Sequence, residues 1–395
     1  MYRALGVHVF AGGFTRGVQQ QGDFDVQAQL EIHDLGSKTV EEKLGVPVIK
    51  GKTWQDWPKI QCDLLYGNPR CTGFSCLTAG YDGDIHGPWA KQTRDIHDLV
   101  EYAISLDPQP RVIVWESVQQ AYSTGHDLLC YLKDTYFVPN GYNIAHLFIN
   151  AATFGNAQQR KRYFFLAYKN DRKFNVAVPE IQPYRTILRD VIEEYQDRET
   201  RTFKYKDLDY TEDSWLWQNE DAMHCIELMQ HGWNFNMFAK YRFDDLPERM
   251  KFTWKYRTSD MPFSMHCPYR VAYDVPAPTL WGACQYVHPE IHRLLTIKEL
   301  SVIMGWDYTP CGPNPIGQIA KGIVPAVGTW LAEQAKYYFE DAWGADDFAC
   351  KYDATRGEFV DALHTDTEKV FNITAYKPYG DKVYEEWVDS IKKVS

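Results

Sequence analysis

Residues 63–75 read DLLYGNPRCTGFS, and this stretch decides the fold class. Its apolar first half predicts a buried strand, and the glycine and proline that follow predict a turn. Cys71 comes directly after that turn. In open α/β sheets the loops beyond the carboxyl ends of the strands form the ligand crevice, so a thiol presented there is a candidate nucleophile. Because a lone cysteine after a strand is usually a small buried apolar residue, the interpretation needs support from elsewhere in the chain.

Apolar runs alternate with amphipathic segments over the first 170 residues or so. Strands that alternate with helices of this length predict a doubly wound, largely parallel α/β domain. Residues 76–90 lack periodicity and are rich in Gly, Asp and His, which predicts a long loop of the kind that often serves as a lid. Residues 175–288 show no sustained pattern and predict a separate irregular domain. The predicted strands are 5–10, 26–32, 62–66, 111–116, 143–149 and 163–167, and the predicted helices are 14–21, 38–44, 91–106 and 126–135.

The formal net charge of −11 argues against a general polyanion binder, although basic residues could still cluster on one face. The nine cysteines are scattered without a CxxC pair, which fits a reducing compartment and predicts no metal site. We find no signal-peptide pattern and no stretch long enough to span a membrane. We therefore expect a protein without membrane segments, cytoplasmic in a prokaryotic or phage-infected cell, and monomeric.

Two further blocks follow Cys71 in the chain. Residues 114–118 read VWESV and residues 158–162 read QQRKR. Together with the cysteine stretch they resemble the signature blocks of the cytosine-C5 DNA methyltransferases, which read roughly GGPPCQGFS, ENV and QxRxR. Three blocks in the right order are far more specific than any one alone. A fourth block, RLLTIKE at residues 293–299, also resembles the family.

The start of the chain resembles the family's first block, FxGxGGxxxG, in residues 10–17, which read FAGGFTRG. Glu31 matches the acid that binds the ribose hydroxyls of S-adenosylmethionine. The resemblance thus implies a Rossmann-like methyltransferase fold with a smaller target-recognition domain, and no metal. It assigns residues 1–174 to the catalytic and donor-binding domain, 175–288 to target recognition, 289–340 to the returning catalytic domain and 341–395 to a C-terminal extension. The donor-site residues it implies are Phe10, Ala11, Gly12, Gly13, Glu31, Pro69 and Lys321.

The resemblance also implies a chemistry. The Cys71 thiolate would add to C6 of cytosine and make C5 nucleophilic, while Glu116 would hold ring N3 and the exocyclic amine. Arg162 would bind the ring O2, and Arg160 would support the cysteine loop or the target nucleotide. The substrate would be double-stranded DNA, with the cytosine flipped out of the helix because its C5 cannot be reached inside the duplex.

Four departures from the family pattern stand out. The first block is about two residues short, and Val48-Ile49-Lys50 stands where the family has an acid for the adenine amine. The Pro-Pro-Cys-Gln core has become Pro69-Arg70-Cys71-Thr72, and the Gly-Asn pair of the last block has become Ala320-Lys321. A cation at Lys321 beside a sulfonium donor is unfavourable unless an anion accompanies it. Carboxy-S-adenosylmethionine would supply that anion, and the product would then be 5-carboxymethylcytosine.

Two other readings stay open. The chain could be a catalytically inactive DNA-binding relative, although it retains the cysteine, the glutamate and both arginines of the blocks. It could also be an RNA cytosine-C5 enzyme on the same scaffold, although the size of the variable region favours a duplex DNA reader.

Overall fold

The chain folds into two compact units in a computed structural model. The first comprises the described residues of Met1–Gly155, Arg160–Gln182 and Gly322–Tyr376, and the second comprises those of Asn156–Gln159 and Pro183–Lys321. No helix among the described residues is long and apolar enough to cross a membrane. The structure describes residues 1–71, 73–74, 90–172, 176, 186–192, 202–205, 208–211, 220–256, 263, 267–282, 285–342, 350–353, 358–361 and 368–372.

The first unit is built on an eight-stranded sheet. Its strands are β1 (Tyr2–Val7), β2 (Phe24–Glu31), β3 (Val48–Lys50), β4 (Leu64–Gly67), β5 (Val112–Ser117), β6 (Tyr142–Asn150), β7 (Lys161–Lys169) and β14 (Glu368–Asn372). Their spatial order is β14-β6-β7-β5-β4-β1-β2-β3. Most neighbouring strands are parallel: β1 with β2 and β4, β4 with β5, β2 with β3, and β14 with β6. Strand β7 runs antiparallel to both β5 and β6.

Helices pack against this sheet because their apolar faces must be covered. The core between them is rich in aromatic rings, such as Trp115 stacked on Phe165 with ring centroids 4.0 Å apart. The helices of this unit are α1 (Gly13–Gln21), α2 (Ser37–Thr39), α3 (Ala90–Ile104), α4 (Gln120–Ser123), α5 (His126–Leu132) and α12 (Pro325–Phe339), with π-helical turns at Val40–Leu44 and Lys133–Phe137. Short 3-10 turns lie at Trp54–Asp56, Val138–Asn140 and Ala151–Phe154, and a hairpin is formed by β12 (Cys350–Asp353) and β13 (Glu358–Asp361).

The second unit consists of short elements around a smaller core. Cys225, Ile226 and Phe238 are fully buried in that core. The helices are α6 (Arg189–Ile192), α7 (Glu220–Leu228), α8 (Phe235–Tyr241), α9 (Glu248–Tyr256), α10 (Ile297–Ile303) and α11 (Pro315–Lys321), and a 3-10 turn lies at Phe243–Asp245. The strands are β8 (Thr202–Tyr205) paired with β9 (Leu208–Thr211), and β10 (Tyr269–Arg270) paired with β11 (Tyr286–Val287).

The predicted α/β class is confirmed. Every predicted strand and helix exists, with ends shifted by a few residues. The short strand β3 and the antiparallel direction of β7 were not predicted. The C-terminal region, to which the sequence assigned no chemistry, contributes β14 to the main sheet. The predicted loop 76–90 lies outside the described residues, apart from Ala90 at the start of α3.

Helices α1 and α12 approach each other closely at Gly17. A Cβ atom on Gly17 would lie 2.3 Å from the Pro325 carbonyl oxygen and 2.7 Å from the Thr329 amide nitrogen. Real Cβ atoms do not come so close to backbone atoms, so any larger residue must push the helices apart. The hydroxyl of Thr329 completes the contact by donating to the Gly17 carbonyl over 3.0 Å.

We predict that Gly17→Ala lowers the free energy of unfolding by about 2 kcal/mol, because overpacking at a backbone contact cannot be relieved by a side-chain rotation. Urea denaturation followed by circular dichroism measures the loss. Gly282→Ala is the control, since a Cβ there meets no atom within 4 Å. Equal stability of the two variants would contradict the close packing of α1 and α12.

Candidate active site

Cys71 stands just beyond the carboxyl end of β4, in the middle of the sheet. The strand end is tightly packed, because a Cβ on Gly67 would lie 2.7 Å from the Val7 carbonyl oxygen. The Cys71 carbonyl accepts a hydrogen bond from the Phe74 amide at 3.0 Å, which turns the chain back after the cysteine. Cys71 itself is partly exposed. The thiol therefore lies at the edge of the sheet where the sequence predicted a ligand crevice.

Glu116 and Arg162 meet across the neighbouring strands. Glu116 lies near the end of β5 and is opposite Phe164 of β7, so Arg162 is its diagonal neighbour on the same face. The Arg162 Nε atom is 2.7 Å from Glu116 Oε1. Arg160 is buried beside them, and its Nη2 donates to the Gly322 carbonyl at 2.8 Å. The register of β5 and β7 thus explains why two blocks 40 residues apart in the chain share one site.

Cys71 is electrostatically coupled to these three side chains. Although Cys71 is partly exposed, the surrounding protein desolvates its thiol and raises the pKa of the thiol. The negative charge of Glu116 raises it further, while Arg162 and Arg160 lower it. Burial also raises the pKa of Glu116 against the opposing effect of the same two arginines. The structure therefore brings together the four residues that the sequence selected, and it disfavours the thiolate form of Cys71.

A small cavity opens beside these charged groups. Glu116, Arg160 and Arg162 line it together with apolar side chains that include Phe164 and Val324. An acid and two cations in an apolar wall can recognise a flat polar ring by its edge, because charge-assisted hydrogen bonds are strong where water is excluded.

Glu31 lies at the end of β2 and is fully buried. Its Oε1 accepts hydrogen bonds from the Phe10 amide at 2.9 Å and from Gln29 Nε2 at 2.8 Å. Its Oε2 is 3.9 Å from His8 Nδ1. Neither Oε2 nor either ring nitrogen of His8 has a hydrogen-bond partner within the part of the chain that the structure describes. Burial raises the pKa of Glu31 to about 8, although the bonds from Gln29 and Phe10 oppose it.

The shortened first block forms a tight turn between β1 and α1. Phe10 has φ of 56° and Gly12 has φ of 81°, both in the left-handed region. Ala11 is buried in this turn, and Gly13 begins the helix. The left-handed conformations of these two residues shape the turn in which the Phe10 amide donates its hydrogen bond to Glu31.

The remaining donor-site predictions fall in different places. Pro69 is buried in the segment that leads to Cys71. Lys321 is exposed at the last position of α11 and belongs to the second compact unit. Val48-Ile49-Lys50, where the family has an acid, forms β3 at the end of the sheet.

Two of the signature blocks contain residues with structural roles. Gln158 is buried and accepts a hydrogen bond from the Leu280 amide at 3.2 Å. In the fourth block, Thr296 and Glu299 form a capping box at the start of α10. Arg293 adds a bidentate ion pair to Glu299, with both N–O distances at 2.8 Å. These contacts stabilise the local structure of the second unit.

Sequence reasoning missed Asp95. This residue of α3 is buried, and its carboxylate accepts two hydrogen bonds from the Arg70 guanidinium, with distances of 2.8 and 2.9 Å. His33 Nε2 lies 3.1 Å from the same carboxylate. The only available signal was the arginine that replaces proline before the cysteine. Among the described residues, no group of three His, Cys, Asp or Glu side chains could hold a metal ion.

Comparison with known proteins gives a consistent result. A family model described as C-5 cytosine-specific DNA methylase matches residues 8–334. The Type II methyltransferase M.Bsp6I of Bacillus sp. (strain RFL6) is 28% identical over 191 residues, which cover 46% of this chain and 57% of that protein. The Type II methyltransferase M1.HphI of Haemophilus parahaemolyticus is 24% identical over 281 residues, 69% of this chain and 67% of that protein. The chain thus spans between half and two thirds of the length of these relatives.

Solved structures share the fold. The Entamoeba histolytica methyltransferase EhMeth superposes with a TM-score of 0.55 at 13% identity, over 86% of this chain and 98% of that one. The S. pombe Dnmt2 methyltransferase gives a TM-score of 0.51 at 12% identity, over 86% of this chain and 99% of that one. At these identities the similarity concerns the Rossmann-like fold alone.

The raised pKa of Glu31 makes the stability of the protein depend on pH. A carboxyl group that titrates near 4.5 in the unfolded chain and near 8 in the folded protein keeps its proton only in the folded state between those values. The folded protein therefore loses stability as pH rises through this window, by up to about 1.4 kcal/mol for each pH unit. We predict that Glu31→Gln removes this loss, so that the variant gains in melting temperature over the wild type between pH 5 and pH 8.

Asp25→Asn is the matched control, because Asp25 is exposed on the same strand. Its melting curve should follow the wild type at every pH. If Glu31→Gln also follows the wild type, the carboxyl group of Glu31 is already ionised in the folded protein.

Proposed function

The chain belongs to the C-5 cytosine-specific DNA methylase family, and from this premise we propose that it transfers a methyl group to C5 of cytosine in double-stranded DNA. The observation that carries the proposal is the grouping of Cys71, Glu116, Arg160 and Arg162. A thiol next to an acid and two cations is what covalent activation of a pyrimidine requires. Because none of these groups could reach a base inside a duplex, the target cytosine is flipped out.

Each residue has a role in the proposed reaction. The Cys71 thiol gives its proton to solvent water and its sulfur bonds to C6, while the electron pair of the C5–C6 double bond shifts so that C5 becomes nucleophilic. Burial raises the pKa of Glu116 and so favours its protonated form, which donates a hydrogen bond at ring N3, where negative charge develops. Arg162 holds Glu116 in place and supplies positive charge near ring O2. After the methyl group is transferred to C5, solvent water takes the C5 proton, and the electron pair of that C–H bond expels the Cys71 thiolate from C6 and restores the aromatic ring.

The residues near Glu31 fit S-adenosylmethionine as the donor, which would supply the electrophilic methyl group on a positively charged sulfur. Glu31 Oε2 is a buried oxygen without a hydrogen-bond partner in the described part of the chain, and His8 Nδ1 faces it across 3.9 Å. Glu31 and His8 would hold a hydroxyl of the donor ribose through hydrogen bonds. Oε1 already accepts a hydrogen bond from the Phe10 amide, so the carboxyl group is oriented before the donor binds.

We predict that Cys71→Ser abolishes covalent capture of DNA that contains 5-fluorocytosine. Fluorine at C5 prevents the final elimination, so a working enzyme with its donor stays bound to the DNA through a denaturing gel. The serine hydroxyl is a much weaker nucleophile than a thiolate, and we expect the adduct to fall by at least about a thousandfold.

Cys130→Ser serves as the control, because Cys130 is a partly exposed free cysteine elsewhere in the same unit. It should form the adduct as the wild type does. A wild type that forms no adduct would identify the chain as an inactive DNA-binding relative, and adduct formation on RNA alone would identify an RNA enzyme.

A second candidate is transfer of a carboxymethyl group from carboxy-S-adenosylmethionine, which would yield 5-carboxymethylcytosine. It is favoured by Lys321, whose ammonium group replaces the family's neutral asparagine at the exposed end of α11. With both donors offered together, this reading predicts a nucleoside heavier by a carboxymethyl group, and Lys321→Asn should shift the product towards 5-methylcytosine. Mass spectrometry of the digested DNA measures the ratio. Methylcytosine as the sole product of the wild type would exclude the second candidate.

A further inference from the structure

The residue before the proposed nucleophile is held by a buried carboxylate. Arg70 Nε lies 2.8 Å from Asp95 Oδ2, and Arg70 Nη2 lies 2.9 Å from Asp95 Oδ1. The backbone amide of Arg70 also donates a hydrogen bond to Asp95 Oδ2 over 3.4 Å. Asp95 is only 2% exposed, whereas one third of the Arg70 side chain is exposed. A planar guanidinium fork on a carboxylate fixes orientation as well as distance.

This pairing decides between two roles for Arg70. As a free cation next to Cys71, it would favour the thiolate. However, two nitrogens of its guanidinium are committed to Asp95, and the charges that lower the pKa of the Cys71 thiol are those of Arg162 and Arg160. The geometry therefore favours a mechanical role, in which the ion pair restrains the backbone at position 70.

A restraint is needed at position 70 because arginine, unlike proline, does not fix its own backbone angle φ. The related block GGPPCQGFS has proline before the cysteine, and the proline ring fixes φ of that residue. In this chain the side chain of Arg70 is anchored instead to Asp95 of helix α3. Cys71 directly follows Arg70 in the chain. The position of the Cys71 sulfur therefore depends on how the backbone of residue 70 is held.

The same carboxylate reaches the donor side of the site. His33 Nε2 lies 3.1 and 3.3 Å from the two oxygens of Asp95. His33 follows Glu31 by two residues, just beyond β2. A single buried side chain thus joins the segment of the nucleophile to the segment that follows the proposed ribose acid.

We propose that Asp95 is a positioning residue that holds Arg70 and thereby sets the place of the Cys71 sulfur for attack on the cytosine ring. The inference rests on the proposed function, because it concerns the covalent step of that reaction. It predicts that Asp95 matters for the rate of the chemical step and that a proline at position 70 makes it dispensable.

The test is a cycle of four proteins: wild type, Asp95→Asn, Arg70→Pro and the double variant. The rate of adduct formation on 5-fluorocytosine DNA is measured in single turnover with saturating donor. Asp95→Asn should slow this step by about ten- to a hundredfold, since small displacements of a reacting atom are costly. Its Kd for S-adenosylhomocysteine should stay within about twofold of the wild type. In the R70P background, the same Asp95→Asn change should alter the rate by less than about threefold.

Asp98→Asn is the matched control. Asp98 is equally buried one turn further along α3, and its partner Arg94 lies on the same helix. This variant should react like the wild type. Arg70→Lys provides a second probe if Asp95→Asn does not fold, because lysine keeps the charge but lacks the planar fork, and it should slow the step as well.

The outcomes separate the two proposals. A wild type that forms no adduct overturns the proposed function, and this inference falls with it. A wild type that reacts while Asp95→Asn reacts equally fast overturns the positioning role alone. An equal slowing by Asp95→Asn in both backgrounds also overturns it, because Asp95 would then act without Arg70.

Discussion

The burial of three carboxyl groups at one edge of the sheet is the constraint on which the site depends. Glu31, Asp95 and Glu116 are each at most 2% exposed. A buried carboxylate must be paired, hydrogen-bonded or protonated, since its charge is costly away from water. Here each carboxyl group meets the requirement differently. Glu116 has an arginine, Asp95 has an arginine and a histidine, and Glu31 has hydrogen bonds and a pKa raised to about 8 by burial.

Much of the scaffold could be predicted from the sequence, because its signals are local. The apolar run before Cys71 and the run that ends in Glu116 each predict a strand, and parallel strands place their carboxyl ends at the same edge. The direction of β7 had no such signal, since a strand reads alike in either direction. β3 is only three residues long, too short for a periodic pattern to register.

Contacts between residues far apart in the chain could not be predicted from the sequence. Asp95 meets Arg70 across 25 positions, and nothing in the helix pattern of α3 marks it. The attachment of β14 is a clearer case. Glu368 bonds His146 at 2.8 Å across 222 positions. The bond from His146 lowers the pKa of Glu368 to about 2 despite its burial. Such pairs depend on the finished fold, and the residue types alone do not predict them.

The charges around Cys71 imply that its reactivity depends on the state of Glu116. The negative charge of Glu116 raises the pKa of the thiol, and the two arginines oppose it. Any event that neutralises Glu116 removes the repulsion and leaves the arginines to stabilise a thiolate. In the proposed reaction that event is the sharing of a proton between Glu116 and the target base. The nucleophile is then least reactive when the site holds no base, and ionisation of the thiol becomes coupled to correct seating of the ring.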